Sequence, residues 1–169
     1  ASHVNITSWD DFKNMFGVDA SAMDVSITVP EGVVLNECKV KTGLGDVFLS
    51  GLYVEKELEA ETGLGDVECY EARAWEKVEL ETGMGDVTLG VEEPYSGTKY
   101  DLKSGMGSIE AQLNSYETTW DYEAKTGMGT VSVNGDNMGT KARHKGGSYE
   151  LEAETGMGDI DLYFVDDRW

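Results

Sequence analysis

The chain has 169 residues, about the size of one domain at roughly 150 residues each. Its 33 acidic and 13 basic residues leave a formal charge of −20. That balance excludes nucleic acid, whose phosphates need clustered Lys and Arg, and disfavours a membrane surface. The hydrophobic content of 40%, with four Trp and eight Tyr, is enough for a core and argues against disorder. No apolar run approaches the roughly 18 residues of a transmembrane helix. Two cysteines are too few for a disulfide scaffold and lack zinc-ligand spacing.

The chain opens on Ala1-Ser2-His3 rather than Met, which leaves an upstream signal or anchor open. Residues 1–24 read as an N-terminal cap or linker. Within them, Ser8 to Phe16 followed by Gly17 predicts a short helix. Ser8 suits the N-cap, Asp10 and Asp11 the first turn, and Gly17 the stop. Trp9, Phe12 and Phe16 share one face, as a lid on the first coil would require. Val25, Ile27 and Val29 then alternate into Pro30 as an incomplete opening rung of a domain spanning 25–169.

From Gly43 onward one motif recurs six times, with its first glycine at 43, 63, 83, 105, 127 and 156. The first three copies are Thr42-Gly-Leu-Gly-Asp46, Thr62-Gly-Leu-Gly-Asp66 and Thr82-Gly-Met-Gly-Asp86. The last three are Ser104-Gly-Met-Gly-Ser108, Thr126-Gly-Met-Gly-Thr130 and Thr155-Gly-Met-Gly-Asp159. Apolar residues alternate before each motif, as Leu58 and Ala60 do before Thr62, and again after it, as Val67 and Cys69 do. Period-two alternation means a strand with one buried face. The glycine pair between the two strands means a corner. Each repeat is therefore strand, corner, strand and a looser third side. The fold class this implies is all-β, a single-stranded β-solenoid or three-sided β-helix of about six coils of 20–22 residues. Right-handed winding is expected from the parallel-crossover preference.

Strict alternation through the corner places Leu44, Leu64, Met84, Met106, Met128 and Met157 on the inward register. The four methionines resemble a soft-metal ladder. Because their positions are shared with Leu44 and Leu64, they are read as core filling. Cys38 and Cys69 are expected as free buried thiols in different columns.

The last spacing, 29 residues, marks an insertion at Asn134–Ser148 that carries Lys141, Arg143, His144 and Lys145. It reads as a protruding loop. As the basic cluster on an acidic rod, it is a candidate contact for an anionic ligand or for the acidic face of another copy, which would give weak self-association. Tyr163 to Trp169 is expected to close the last coil.

Ile27-Thr-Val-Pro-Glu-Gly, together with the repeated Thr-Gly-x-Gly-Asp-Val units after it, resembles the bacterial putative-adhesin family. The likeness covers about residues 25–165. This chain departs from the family pattern by placing Leu or Met between the glycines. The resemblance implies a β-solenoid and a role at the envelope or cell surface, and it supplies no catalytic residues.

Stacking in chain order would align Glu59, Glu79, Asp101, Glu123 and Glu152 in one exposed acidic column. This column is the candidate contact for a cation or a partner. The first reading is thus a non-enzymatic, extracytoplasmic structural or adhesive module, with an unknown surface partner, no cofactor and no assigned metal ligands. The alternative is a cation- or polysaccharide-binding module using the acidic columns. A cytoplasmic scaffold is a third reading.

Overall fold

The computed structural model describes residues 5–6 and 32–165. The expected helix at 8–16, the opening rung at 25–30 and the tail beyond Val165 lie outside them. Within them the protein is all-β, built of stacked and mostly parallel strands.

Each of the first three rungs has three sides. Rung one comprises β2 (Val34–Leu35), β3 (Cys38–Leu44) and β4 (Val47–Ser50). Rung two comprises β5 (Tyr53–Val54), β6 (Glu57–Leu64) and β7 (Val67–Tyr70). Rung three comprises β8 (Arg73–Ala74), β9 (Lys77–Met84) and β10 (Val87–Val91). Rung four has two long strands, β11 (Lys99–Met106) and β12 (Ile109–Tyr116). Equivalent residues pair without slippage: Leu58 with Val78 and then Tyr100, and Val67 with Val87 and then Ile109. A short strand β1 (Asn5–Ile6) runs parallel to β3 at the N-terminal edge.

The inward residues form one continuous core. Leu58, Leu80, Leu89, Leu102, Ile109, Ile160 and Leu162 are fully buried. Threonine, or serine in rung four, occupies the last inward position before each corner for a reason other than volume. From the second rung on, its hydroxyl donates to the carbonyl of the second glycine in the neighbouring rung. Thr62 reaches Gly45 at 2.8 Å, Thr82 reaches Gly65 at 2.8 Å, and Ser104 reaches Gly85 at 2.8 Å. The corner Asp extends the ladder around the bend. Asp46 Oδ1 accepts from the Asp66 N–H at 2.9 Å, and Asp66 Oδ1 from the Asp86 N–H at 2.7 Å. From the second rung on, the corner glycines leave no room for a side chain on the stacking axis, since a Cβ on Gly63 would lie 2.7 Å from the Gly43 carbonyl oxygen.

Chain order fails as the stacking order in the last third of the molecule. After β12 a 3₁₀ turn at Glu117–Thr119 leads into β13 (Trp120–Met128), which does not pair with β11. The final repeat, β17 (Tyr149–Met157) and β18 (Ile160–Val165), occupies the slot between. β17 pairs with β11 on one side and β13 on the other. β18 likewise lies between β12 and β14 (Val131–Val133). The spatial order is therefore one, two, three, four, six, five. The side-chain ladder keeps to it: Thr155 donates to Gly107 at 2.7 Å, and Thr126 to Gly158 at 2.8 Å.

The insertion explains this order. Instead of protruding as a loop, it folds over the outer edge of rung five. β15 (Asp136–Asn137) lies antiparallel to β14, and β16 (Lys141–His144) antiparallel to β13. With that edge occupied, the last repeat pairs inside the stack. It enters beneath Trp120, where the Gly146 and Gly147 N–H groups donate to Asp121 and the Ser148 N–H to the Thr119 carbonyl. Trp120 is fully buried against Tyr100, Tyr149 and Phe164, at ring separations of 5.5, 5.1 and 6.2 Å.

Candidate functional site

The five acids of the expected column share one side of the long sheet, in the spatial order Glu59, Glu79, Asp101, Glu152, Glu123. Each is engaged by a basic side chain. Lys39 lies 3.0 Å from Glu59, and Lys41 also contacts it. Lys103 bridges Asp101 at 2.8 Å and Glu79 at 3.4 Å, and Lys77 contacts Glu79 as well. Lys99 is 3.1 Å from Glu152 and Lys141 is 2.8 Å from Glu123. The column is thus half of an interleaved ladder of opposite charges.

The row is not the exposed one expected: Glu59, Glu79 and Glu123 are half-buried, only Glu152 is exposed, and Asp101 departs furthest. It is only 8% exposed, because it lies under Lys103 between its neighbours in the stack. The ion pairs move the titrations as their geometry requires. The ammonium groups of Lys41 and Lys39 hold the Glu59 carboxyl below its usual value. Carboxylate neighbours push Lys39, Lys41, Lys99 and Lys103 up. Opposite charges one rung apart are the cross-strand pairs that stabilise a sheet.

The basic segment lies at the end of this ladder. Lys141 and Arg143 face Glu123, at 2.8 and 3.7 Å, and Lys145 is 3.5 Å from Asp121. Its partner is therefore the acidic face of its own chain. His144 is turned to structure: Nδ1 lies 2.7 Å from the Trp120 carbonyl, and the ring stacks on Tyr122 at 5.9 Å. Among the described residues, no group of three or more His, Cys, Asp and Glu is arranged to hold a metal ion. Two shallow depressions are present. One, of about 100 Å³, is lined by Gly51, Tyr53, Glu71, Ala72, Arg73 and Glu92. The other, of about 80 Å³, lies among the ion pairs around Asp101 and Glu152. Ligand pockets are typically about 300–1,000 Å³.

Both cysteines are free thiols. Cys69 is buried, and burial pushes its thiol up to about 12, while Cys38 is half-buried on rung one.

The residue between the two glycines of each motif is not core. Leu44, Leu64, Met84, Met106, Met157 and Met128 are all exposed and form a ridge along one corner of the stack. Alternation ends at the first glycine. From Thr62 to Val67 the chain rounds a convex corner with no interior volume, and Gly65 there takes φ +137°. The side chain between the glycines is turned to solvent. Sequence periodicity misses the ridge because an apolar residue on an inward register reads as core.

The family described as Toastrack DUF4097 matches residues 5–137, and the chain belongs to it. A solved structure with a similar fold is a putative cell adhesion protein from Clostridium sporogenes. The TM-score is 0.58 at 15% identity, covering 83% of this chain and 97% of that one. Among curated proteins none matches.

Proposed function

We propose that this protein is a non-enzymatic bacterial envelope or surface module, structural or adhesive, acting outside the cytoplasm. The observation that carries the reading is the shape of its chemistry. The described surface presents long, regular ladders of paired charges on a sheet, and the depressions along it are shallow. A repeating face meets an extended partner, such as a neighbouring envelope component, rather than a small substrate. Likeness to a putative cell adhesion protein supports the same reading. The interleaved lysines favour it over a cation- or polysaccharide-binding role for the acidic column, because they already relieve the repulsion that would recruit an ion.

The test is where the full gene product resides. Cells producing it with an epitope tag are treated with external protease and fractionated. Cleavage on intact cells and recovery with the envelope are expected. Recovery in the cytosol, protected until lysis, would overturn the proposal.

A further inference from the structure

Four consecutive places on the corner ridge carry methionine. The β-pairing joins Met84 to Met106, Met106 to Met157, and Met157 to Met128. The last rung contributes Met157 between Met106 and Met128, so the run has no gap. The side chains cover one another. Leu64, Met84, Met106 and Met157, with neighbours on both sides, are 39–45% exposed, whereas the ends of the ridge, Leu44 and Met128, are 73% and 64% exposed.

We propose that Met84, Met106, Met157 and Met128 form a thioether ladder that binds a soft monovalent cation, Cu(I) or its analogue Ag(I). Thioether sulfur is a soft ligand that selects such ions over the hard cations Ca²⁺ and Mg²⁺. Two sulfurs bound linearly to one ion stand two metal–sulfur bonds apart, which is about 4.6 Å on the zinc–sulfur distance of roughly 2.3 Å and somewhat more for the larger Ag(I). Adjacent rungs are about 4.8 Å apart. Neighbouring methionines thus need little displacement to share an ion, and three rotatable bonds each supply it. The charge around the site also favours a cation. Asp86 and Asp159 lie at the same corner, two positions along the chain from Met84 and Met157. Each already accepts a backbone N–H through one oxygen at 2.7 Å, so they contribute field rather than ligands. Rungs one and two, with Leu at the same place, lack the sulfur and provide an internal control.

The test is an Ag(I) titration of protein labelled with ¹³C at the methionine methyls, with Cys38 alkylated. Cys69 is buried. The Met84, Met106, Met157 and Met128 signals are expected to shift at substoichiometric Ag(I). Met138, exposed but off the ridge, should not move. The double variant Met106→Leu/Met157→Leu should keep the fold, because Leu44 and Leu64 occupy the same position, and should bind at least tenfold more weakly. A thioether carries no proton to compete with the ion, so affinity should stay level from pH 5 to 8. A shift of Met138 together with the other four would overturn the proposal. So would undiminished affinity in the double variant, or a tenfold loss of affinity at pH 5, which would assign the ion to other ligands.

Discussion

The first four rungs and the last two are built from the same motif, yet only the first four stack in the order in which they are synthesised. In the first part each repeat is added to the free edge left by its predecessor. In the second, rung five is held one place away by the Glu117–Thr119 turn and Trp120, and its outer edge is covered by β16. The repeat therefore specifies what a rung is and which residues face inward, but not where in the stack the rung goes. Placement comes from connections outside the repeat. The device also ends the sheet, since an antiparallel strand covers an edge that would otherwise template further pairing.

Charge burial separates the two regions most strongly. Val87 and Ile160 occupy equivalent, fully buried positions. Val87→Asp places an unpaired charge in the middle of the ordered stack and should cost on the order of 4–5 kcal/mol or more, abolishing the cooperative transition. Ile160→Asp should instead expel the last rung. Amide exchange should then rise in β17, β18 and β13 while β6 and β9 stay protected, as nearest-neighbour coupling in a repeat protein predicts. Equal loss of protection in all rungs would show that the two regions fold as one unit.

Next in size is the entry of the last repeat. A Cβ on Gly147 would overlap the backbone of Thr119 and Trp120, whereas one on Gly43 would meet nothing. Gly147→Ala should cost about 1–3 kcal/mol in urea unfolding, and Gly43→Ala should change stability by less than about 1 kcal/mol, toward stabilisation. Similar costs would mean that the crossover beneath Trp120 does not fix rung placement.

Much of this architecture is legible in the sequence. The alternation at Leu58, Ala60, Val67 and Cys69 gives the strands and their inner face, and the constant offset from the glycines gives the register. The ridge is not legible, because periodicity does not report that a corner lacks interior volume. Chain order also misleads about rung order, and the corner residue does not correct it: the outermost repeat carries Thr130 where most carry Asp, but the internal fourth rung carries Ser108 there, whose hydroxyl accepts the Asp159 N–H. The acidic column is legible as a column. Its neutralisation is not, since the lysines that pair with Glu79 and Glu152 come from neighbouring rungs as well as their own.

That corner ladder supplies a smaller test. Asp86 accepts the Ser108 N–H and Asp159 the Thr130 N–H, each at 2.7 Å. Asp86→Ala and Asp159→Ala should each cost about 1 kcal/mol by thermal unfolding. Thr130→Ala, on the outermost rung, should cost less than about 0.5 kcal/mol. A cost for Thr130→Ala equal to that for Asp86→Ala would contradict the stacking order.

The smallest expected effect concerns the charge ladder at the first-rung end, where Glu59 contacts Lys39 and Lys41. The two ammonium groups hold its carboxyl below the usual range. A carboxyl depressed in the folded state stabilises the protein fully above its unfolded value of about 4.3. That contribution is lost as pH falls through the folded value, because protonation then removes the charge the lysines engage. Glu59→Gln removes the charge at every pH. Wild type should therefore exceed the variant by about 0.2–1 kcal/mol at pH 7, with the gap closing below the ordinary carboxylate range. The same gap should narrow in high salt, since both lysines are partly exposed and their field is screened. Urea unfolding of both proteins across acid pH measures this directly. A difference that persists unchanged at low pH would assign the role of Glu59 to packing on the sheet rather than to its ion pairs.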